Sequence, residues 1–284
     1  MQTLGQVLKK ATEYLTAKGI PKARLQAEIL LSAALGINRL DLYLQFERPL
    51  PEETLARLRD WVRRRANREP PQYITGTTPF RDLTLKSDPR ALIPRPETEE
   101  LVGHVLAALP PSPTPVRIAD LGTGTGAIAL ALAQEHAGAI LTATDASAPA
   151  LDLARENARA TGLAARVEFL QGDWLHAIPR PHPLFHAIVS NPPYLTQAEL
   201  STAAPEVVDH EPRAALLAGD DGLEALLRIL GEALPCLQPD GFVALETGIA
   251  HATALAARAT ALGYVRHESR EDLSGRPRFF FAWL

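Results

Sequence analysis

Residues 116–126 limit what this chain can become more than any other stretch. Val116-Arg117-Ile118-Ala119-Asp120 has the character of a short buried strand, and Leu121-Gly122-Thr123-Gly124-Thr125-Gly126 follows it directly. A helical segment at residues 127–134 comes next. A strand that passes through a glycine turn straight into a helix belongs to parallel α/β architecture. The alternation continues downstream. Strands are expected at residues 140–144, ending at Asp145, at 166–170, leading to Gly172-Asp173-Trp174, at 185–189, leading to Asn191, and at 241–246. Helices are expected at 151–161, 222–237 and 251–262, and residues 264–268 and 277–284 close the sheet with one antiparallel edge. The predicted fold is α/β: a doubly wound, mostly parallel seven-stranded sheet.

Before this sheet the pattern differs. Leu4, Val7, Leu8, Ala11 and Leu15 repeat at helical spacing until Gly19-Ile20-Pro21 ends the helix. A second helix spans about 22–34 and stops at Gly36, Asn38 is placed to cap a short third, and residues 52–68 form a fourth. In the fourth, Leu55, Leu58 and Val62 face inward and the arginines outward. Pro70-Pro71 closes this helical part. Between residues 72 and 96 the alternation of Phe80, Leu83 and Leu85 with polar neighbours reads as a β-hairpin. The expected organisation is a helical substrate-binding domain at 1–70, a hairpin linker at 71–96 and a catalytic domain at 97–284. In the last, Pro94, Pro96 and the acids Glu97, Glu99 and Glu100 precede an apolar helix at 101–109, and Arg95 is placed to face the mouth of an active site.

Composition excludes more than it assigns. No apolar run approaches the roughly 20 residues that span a bilayer, and Lys9, Lys10 and Glu13 in the first helical pattern do not fit a signal peptide. The single cysteine, Cys236, fits a reducing compartment, so a cytoplasmic location is expected. Eight histidines lack ligand spacing, and no metal is expected. Residues 1–70 carry 13 Lys/Arg against 8 Asp/Glu, whereas the remainder carries 16 against 25. Such a basic run is most often a solvated helix face; the other reading is a docking surface for an acidic partner.

In doubly wound sheets ligands bind beyond the carboxyl ends of the strands. Asp145, 19 positions after Gly126, suits the two hydroxyls of a ribose. Asp173 suits an adenine amino group, and Trp174 supplies a flat wall. This set, with Gly122, Thr123, Gly124, Thr125 and Gly126, binds an adenosine. Gly122, Gly124 and Ala127 also satisfy the nicotinamide fingerprint, a weak signal alone. Asp120 argues for S-adenosylmethionine instead, being placed to accept from an α-ammonium rather than to repel a pyrophosphate. A nucleotide phosphate loop is excluded, since no Gly-Lys-Ser/Thr follows the glycines. Asn191-Pro192-Pro193-Tyr194 completes the constellation. Two prolines stiffen the turn, Asn191 and the Pro192 carbonyl accept from a planar NH₂ group, and Tyr194 provides a ring for it to lie against.

Asn191-Pro192-Pro193-Tyr194 after such a glycine loop resembles the motif of class I methyltransferases acting on amino groups of DNA bases or of protein glutamine. The segments Arg95-Pro96-Glu97-Thr98-Glu99, Glu211-Pro212-Arg213, Asp221-Gly222-Leu223 and Asp272-Leu273-Ser274-Gly275-Arg276 narrow the resemblance. With the helical N-terminal part, the chain is similar to the release-factor glutamine N5-methyltransferases, the PrmC/HemK family; it departs slightly at Thr247-Gly248, where that family varies. The resemblance implies methyl transfer from S-adenosylmethionine to the glutamine of the Gly-Gly-Gln motif of peptide chain release factors. Carried over, residues 122–126, Asp145, Trp174 and Asn191 hold the cofactor, and Asn191, Pro192, Pro193 and Tyr194 grip the glutamine. A monomer without direct nucleic-acid contacts is expected. The competing readings are a DNA adenine-N6 methyltransferase, disfavoured by the acidic catalytic part, and a non-catalytic module docking to ribosome-associated partners.

Overall fold

The computed structural model describes residues 2–284. One of its two compact units takes in the described residues through Thr77 together with Ala204–His210. It opens with helices α1 (Leu4–Ala17), α2 (Ala23–Leu35), α3 (Asp41–Leu44), α4 (Glu52–Ala66) and α5 (Pro71–Thr75). Thr3 and Gln6 cap α1 reciprocally, each side chain accepting from the other's backbone N–H, which satisfies donors a helix start leaves unpaired. Helix α2 ends at Gly36 in left-handed backbone. Asn38 contributes to α3 through its carbonyl, which accepts from Asp41 N at 3.1 Å, rather than through a side-chain cap. Leu4, Leu8, Leu15, Leu30, Leu31, Leu55 and Leu58 meet in one apolar core.

The arginines of α4 do not all face outward. Arg65 is 3% exposed and donates to Gln26 Oε1 at 3.0 Å, to the Glu69 carbonyl at 3.2 Å and to Glu206 Oε1 at 2.5 Å. A guanidinium can be buried only where its donors find acceptors. The Glu206 acceptor lies 141 residues away, so helical periodicity could not reveal it. Arg57 donates to the Ala34 carbonyl and Arg64 pairs with Glu69. Much of the basic run is therefore engaged within its own unit.

The hairpin is shorter than expected: α5 occupies residues 71–75, and only β1 (Thr77–Phe80) and β2 (Leu83–Lys86) pair. The second unit comprises Thr78–Ala203 and Glu211–Leu284. Its elements run α6 (Pro96–Ala108), β3 (Val116–Leu121), α7 (Ala127–Glu135), β4 (Ala139–Asp145), α8 (Ala148–Ala160), β5 (Val167–Gln171) and β6 (Phe185–Ser190). Then come α9 (Gln197–Thr202), the excursion α10 (Pro205–His210) into the helical unit, α11 (Glu224–Ala233), β7 (Leu237–Glu246), α12 (Ala252–Leu262), β8 (Arg266–Glu271) and β9 (Pro277–Trp283).

Helix α6 begins five residues before the expected apolar run, because Pro96 at its first turn lacks only an N–H that would be unpaired anyway. Glu97 and Glu99 in that turn favour the positive end of the helix dipole. Conversely α11 stops at Ala233, short of Leu237. Pro235 turns the chain into a 3₁₀ segment, Leu234–Cys236, since proline cannot donate to a carbonyl four residues back. Helices α9 and α10 were absent from the sequence expectation.

The seven strands lie in the order β5-β4-β3-β6-β7-β9-β8, parallel through β7 and antiparallel where β9 pairs with β7 and β8. Successive residues feed opposite faces, as the strand pleat requires. Ile118, Ala187, Val189, Ala244, Phe279 and Phe281 pack on one side with α6 and α7. Ala119, Leu121, Ile188, Val243, Leu245 and Phe280 pack on the other with α11 and α12. No helix among the described residues is long and apolar enough to cross a membrane.

Candidate functional site

The chain moves from β3 to β4 on one side and later to β6 on the other, so the strand order reverses at β3. A cleft of about 270 Å³ opens there, where ligands of such sheets bind. Register fixes what meets in it. Leu121 is level with Thr144 of β4 and with Ser190 of β6, Asp145 is level with Gln171, and Ser190 is level with Leu245 of β7. The residues just past these pairs are Gly122, Gly172, Asn191 and Glu246.

On one side the wall is backbone. Gly122, Gly124 and Gly126 take positive φ values of 70°, 56° and 84°, and the Thr144 carbonyl accepts from both Gly122 N and Thr123 N at 2.9 Å. A Cβ at position 122 would stand 3.1 Å from Trp174 Cζ3; glycine is needed there for conformation and for room. Asp145 Oδ2 accepts from Gly124 N at 2.9 Å and Oδ1 from Ser147 N at 2.9 Å, while burial pushes its carboxyl above the ordinary range. Gly122 to Thr125, Asp145, Asp173 and Trp174 all line the cleft. Trp174 reaches it from strained backbone, with φ of 46°, and the Asp173 carboxylate is paired by Arg228.

Two predicted residues of this half sit elsewhere. Gly126 lies behind the wall as the residue before α7. Asp120 is wholly buried beneath the loop, its Oδ2 accepting from Thr123 Oγ1 at 2.6 Å and from Ala129 N at 3.1 Å. Nothing among the described residues hydrogen-bonds Oδ1, and burial pushes the carboxyl up to about 7. Asp120 braces the turn instead of facing the cleft, because it lies within a central strand, one residue short of its end, and is covered there.

On the other side the wall is made of side chains. Asn191 and Pro193 line the cleft with Pro94 and Thr98. Pro192 is buried. Tyr194 does not line the cleft: its hydroxyl donates to Glu246 Oε1 at 3.1 Å and accepts from Arg278 Nη2 at 2.6 Å, and the Arg278 guanidinium lies 5.0 Å from the ring centre. Burial first, then the adjacent Glu246, raises the phenol well above its ordinary range. The expected open aromatic platform is thus occupied by the protein's own cation, brought in by β9. Asn191 Nδ2 donates to Thr98 Oγ1 at 3.1 Å, and Thr98 Oγ1 donates to Glu246 Oε2 at 2.6 Å.

A glycine cradle and an adjoining acid face Asn191 and Pro193 across one cleft. Comparison with known proteins narrows it. A release factor glutamine methyltransferase of Deinococcus radiodurans is 43% identical over 279 residues, covering 98% of each chain. This chain belongs to the release factor glutamine methyltransferase family. Proteins of that name from Moorella thermoacetica and Geobacter sulfurreducens are 43% and 40% identical, covering 99% and 97% of this chain and 98% and 95% of theirs. Residues 6–76 match the PrmC N-terminal domain and residues 102–219 the methyltransferase small domain. Among solved structures, a Pyrococcus furiosus methyltransferase aligns with a TM-score of 0.52 at 19% identity over 71% of this chain and 88% of its own. The N-terminal domain of human METTL16 in complex with SAH aligns with a TM-score of 0.51 at 19% identity, over 71% and 75%. These show the class I methyltransferase fold, and this family member is a methyltransferase.

Sequence reasoning assigned no such role to several residues that hold the cleft together. Asn157, buried on α8, donates to the Thr125 carbonyl at 2.9 Å and exchanges hydrogen bonds with Lys86 of β2. An asparagine inside a helical pattern carries no signal of that kind. Gly222 has φ of 72°, and a Cβ there would stand 2.3 Å from the Tyr194 carbonyl. Arg95 donates to the buried Glu211, joining two of the quoted segments. Thr98, Glu246 and Arg278 became visible only with the β6, β7 and β9 register in hand.

Proposed function

We propose that this methyltransferase transfers a methyl group from S-adenosylmethionine to the side-chain amide nitrogen of the glutamine in the Gly-Gly-Gln motif of peptide chain release factors. The observation that carries the reading is that Asn191 opens into the same cleft as the glycine loop and Asp145. The cleft fits the donor by its chemistry. Gly122 and Gly124 let backbone approach closely, Trp174 gives an apolar wall, and Asp145 is an acceptor beside them for a ribose. Bound there, the donor supplies a methyl carbon made electrophilic by a sulfonium.

An amide nitrogen is a weak nucleophile because its lone pair is delocalised into the carbonyl. Asn191 Oδ1 accepts one of its N–H hydrogens and the Pro192 carbonyl the other, which turns the nitrogen toward the cleft and enriches it. Positioning of this kind is worth several kcal/mol of a barrier. Transfer forms an N–C bond as the donor's methyl–sulfur bond breaks with its electron pair left on sulfur, and one amide proton is released. Pro193 closes the turn, and Tyr194, held by Glu246 and Arg278, fixes the turn's far end.

The helical unit is the part we assign to the protein substrate, within a cytoplasmic setting. Leu40 and Leu44 on and beside α3 are 79% and 83% exposed, and neighbouring exposed apolar residues mark interaction surfaces. Incubation with methyl-labelled S-adenosylmethionine and either release factor or duplex DNA tests the assignment. Label is expected in the release factor alone; labelled DNA with unlabelled release factor overturns it.

A further inference from the structure

The acceptor side of the cleft is wired in one direction. Arg278 has donors only, so the Tyr194 hydroxyl accepts from it and spends its proton on Glu246 Oε1. Arg278 Nη2 also reaches Glu246 Oε1 at 3.2 Å. Glu246 is wholly buried, and its second oxygen takes the Thr98 proton at 2.6 Å. Thr98 is left with lone pairs alone toward Asn191, so the Asn191 amide must present its NH₂ group inward, as the 3.1 Å contact has it. Its Oδ1 is thereby left for the substrate.

We propose that Glu246, acting through Thr98, is a positioning residue that sets the direction of the Asn191 amide, so that an acceptor and never a donor meets the substrate nitrogen. The inference rests on the proposed glutamine-amide substrate. An asparagine amide is nearly symmetric in shape, and a turn alone does not tell its oxygen from its nitrogen. With the amide reversed, two NH₂ groups face each other and neither has a partner. The arrangement also accounts for an expensive feature. A carboxyl buried at the end of a central strand, with its pKa lifted by burial against the pull of Thr98 and Arg278, is hard to justify as scaffold when an apolar residue would pack there.

Glu246→Gln reverses the wiring. Arg278 requires the new carbonyl oxygen, so the Gln NH₂ faces Thr98, whose hydroxyl proton is then free to turn toward Asn191. Thr98→Val keeps the shape and removes the hydroxyl, and Thr98→Ser restores it. Turnover on release factor is expected to fall about ten- to a hundredfold in Glu246→Gln and Thr98→Val, and to recover in Thr98→Ser. The Kd for S-adenosylhomocysteine, by calorimetry, should stay within about twofold.

The second readout needs no turnover. In ¹⁵N spectra, the Asn191 side-chain NH₂ pair, assigned by its absence in Asn191→Asp, should move in Thr98→Val and stay in Thr98→Ser. Unmoved NH₂ signals in Thr98→Val, wild-type turnover in Glu246→Gln, or equal losses in Thr98→Ser and Thr98→Val would overturn the proposal. Should Glu246→Gln not fold, the Thr98 pair decides alone. A wild-type enzyme that leaves release factor unmethylated would refute the substrate assignment, while the NH₂ signals still judge the wiring.

Discussion

The two halves of the cleft are built by different means. The cofactor half is built around one local loop: Gly122 to Thr125 lie within four residues and are held by the ends of neighbouring strands, with Thr144 and Asp145 supplying the acceptors. The acceptor half is assembled across the chain: Asn191 reaches Thr98 over 93 positions, Thr98 reaches Glu246 over 148, and Arg278 reaches Tyr194 over 84. A backbone cradle depends on conformation, so glycine and register suffice. A site that must distinguish an oxygen from an NH₂ group needs side chains whose hydrogen-bond direction is imposed from outside.

Substitutions can break or sharpen this contrast. The largest effect is expected for Asn191→Ala, which removes the acceptor. Turnover should fall at least about a hundredfold, with cofactor affinity within about twofold. A large loss of cofactor binding in that variant would merge the two halves. Next, Gly222→Ala drives a Cβ into the Tyr194 carbonyl at a positive φ. It should lower stability by about 2 kcal/mol or more and reduce turnover even where the protein stays folded, measured by thermal melting beside initial rates. Asp145→Ala should do the reverse of Asn191→Ala, weakening cofactor binding by about 1–3 kcal/mol. Unchanged affinity by calorimetry would remove Asp145 from the cofactor half.

A smaller effect is expected for Leu44→Asp, which should raise KM for intact release factor several-fold while leaving a short glutamine peptide unaffected. The smallest concerns pH. Burial pushes the Asp120 carboxyl up to about 7 in the folded state, above its ordinary value in the unfolded chain, so the folded state holds the proton more tightly. Its contribution to stability is fully present below about pH 4 and is lost as pH rises through about 7. Asp120→Asn should therefore gain stability relative to wild type between pH 5 and pH 8, by thermal melting. A difference that does not change with pH would show that Asp120 is not buried in its acidic form.

This contrast also explains what could be read before the structure. The strand, glycine turn and helix at residues 116–134 carry their own local signals, and so did the six further strands and the antiparallel edge. Helix α6 begins early because capping chemistry at Pro96 outranks the apolar run that follows it. Helices α9 and α10 are short and polar, with at most Leu200 buried between them, so periodicity had nothing to register. Arg65 and Tyr194 fail for one shared reason. Each is a residue whose usual place is the surface or the site, turned inward by a distant partner, Glu206 or Arg278. No spacing within a single segment encodes such a partner.

The most direct test is fragment mass spectrometry of a release factor after incubation with S-adenosylmethionine and either the wild-type chain or Asn191→Ala. The account predicts one methyl group on the side-chain nitrogen of the Gly-Gly-Gln glutamine with wild type and almost none with the variant. A methyl group at another residue, or equal methylation by both proteins, would contradict it.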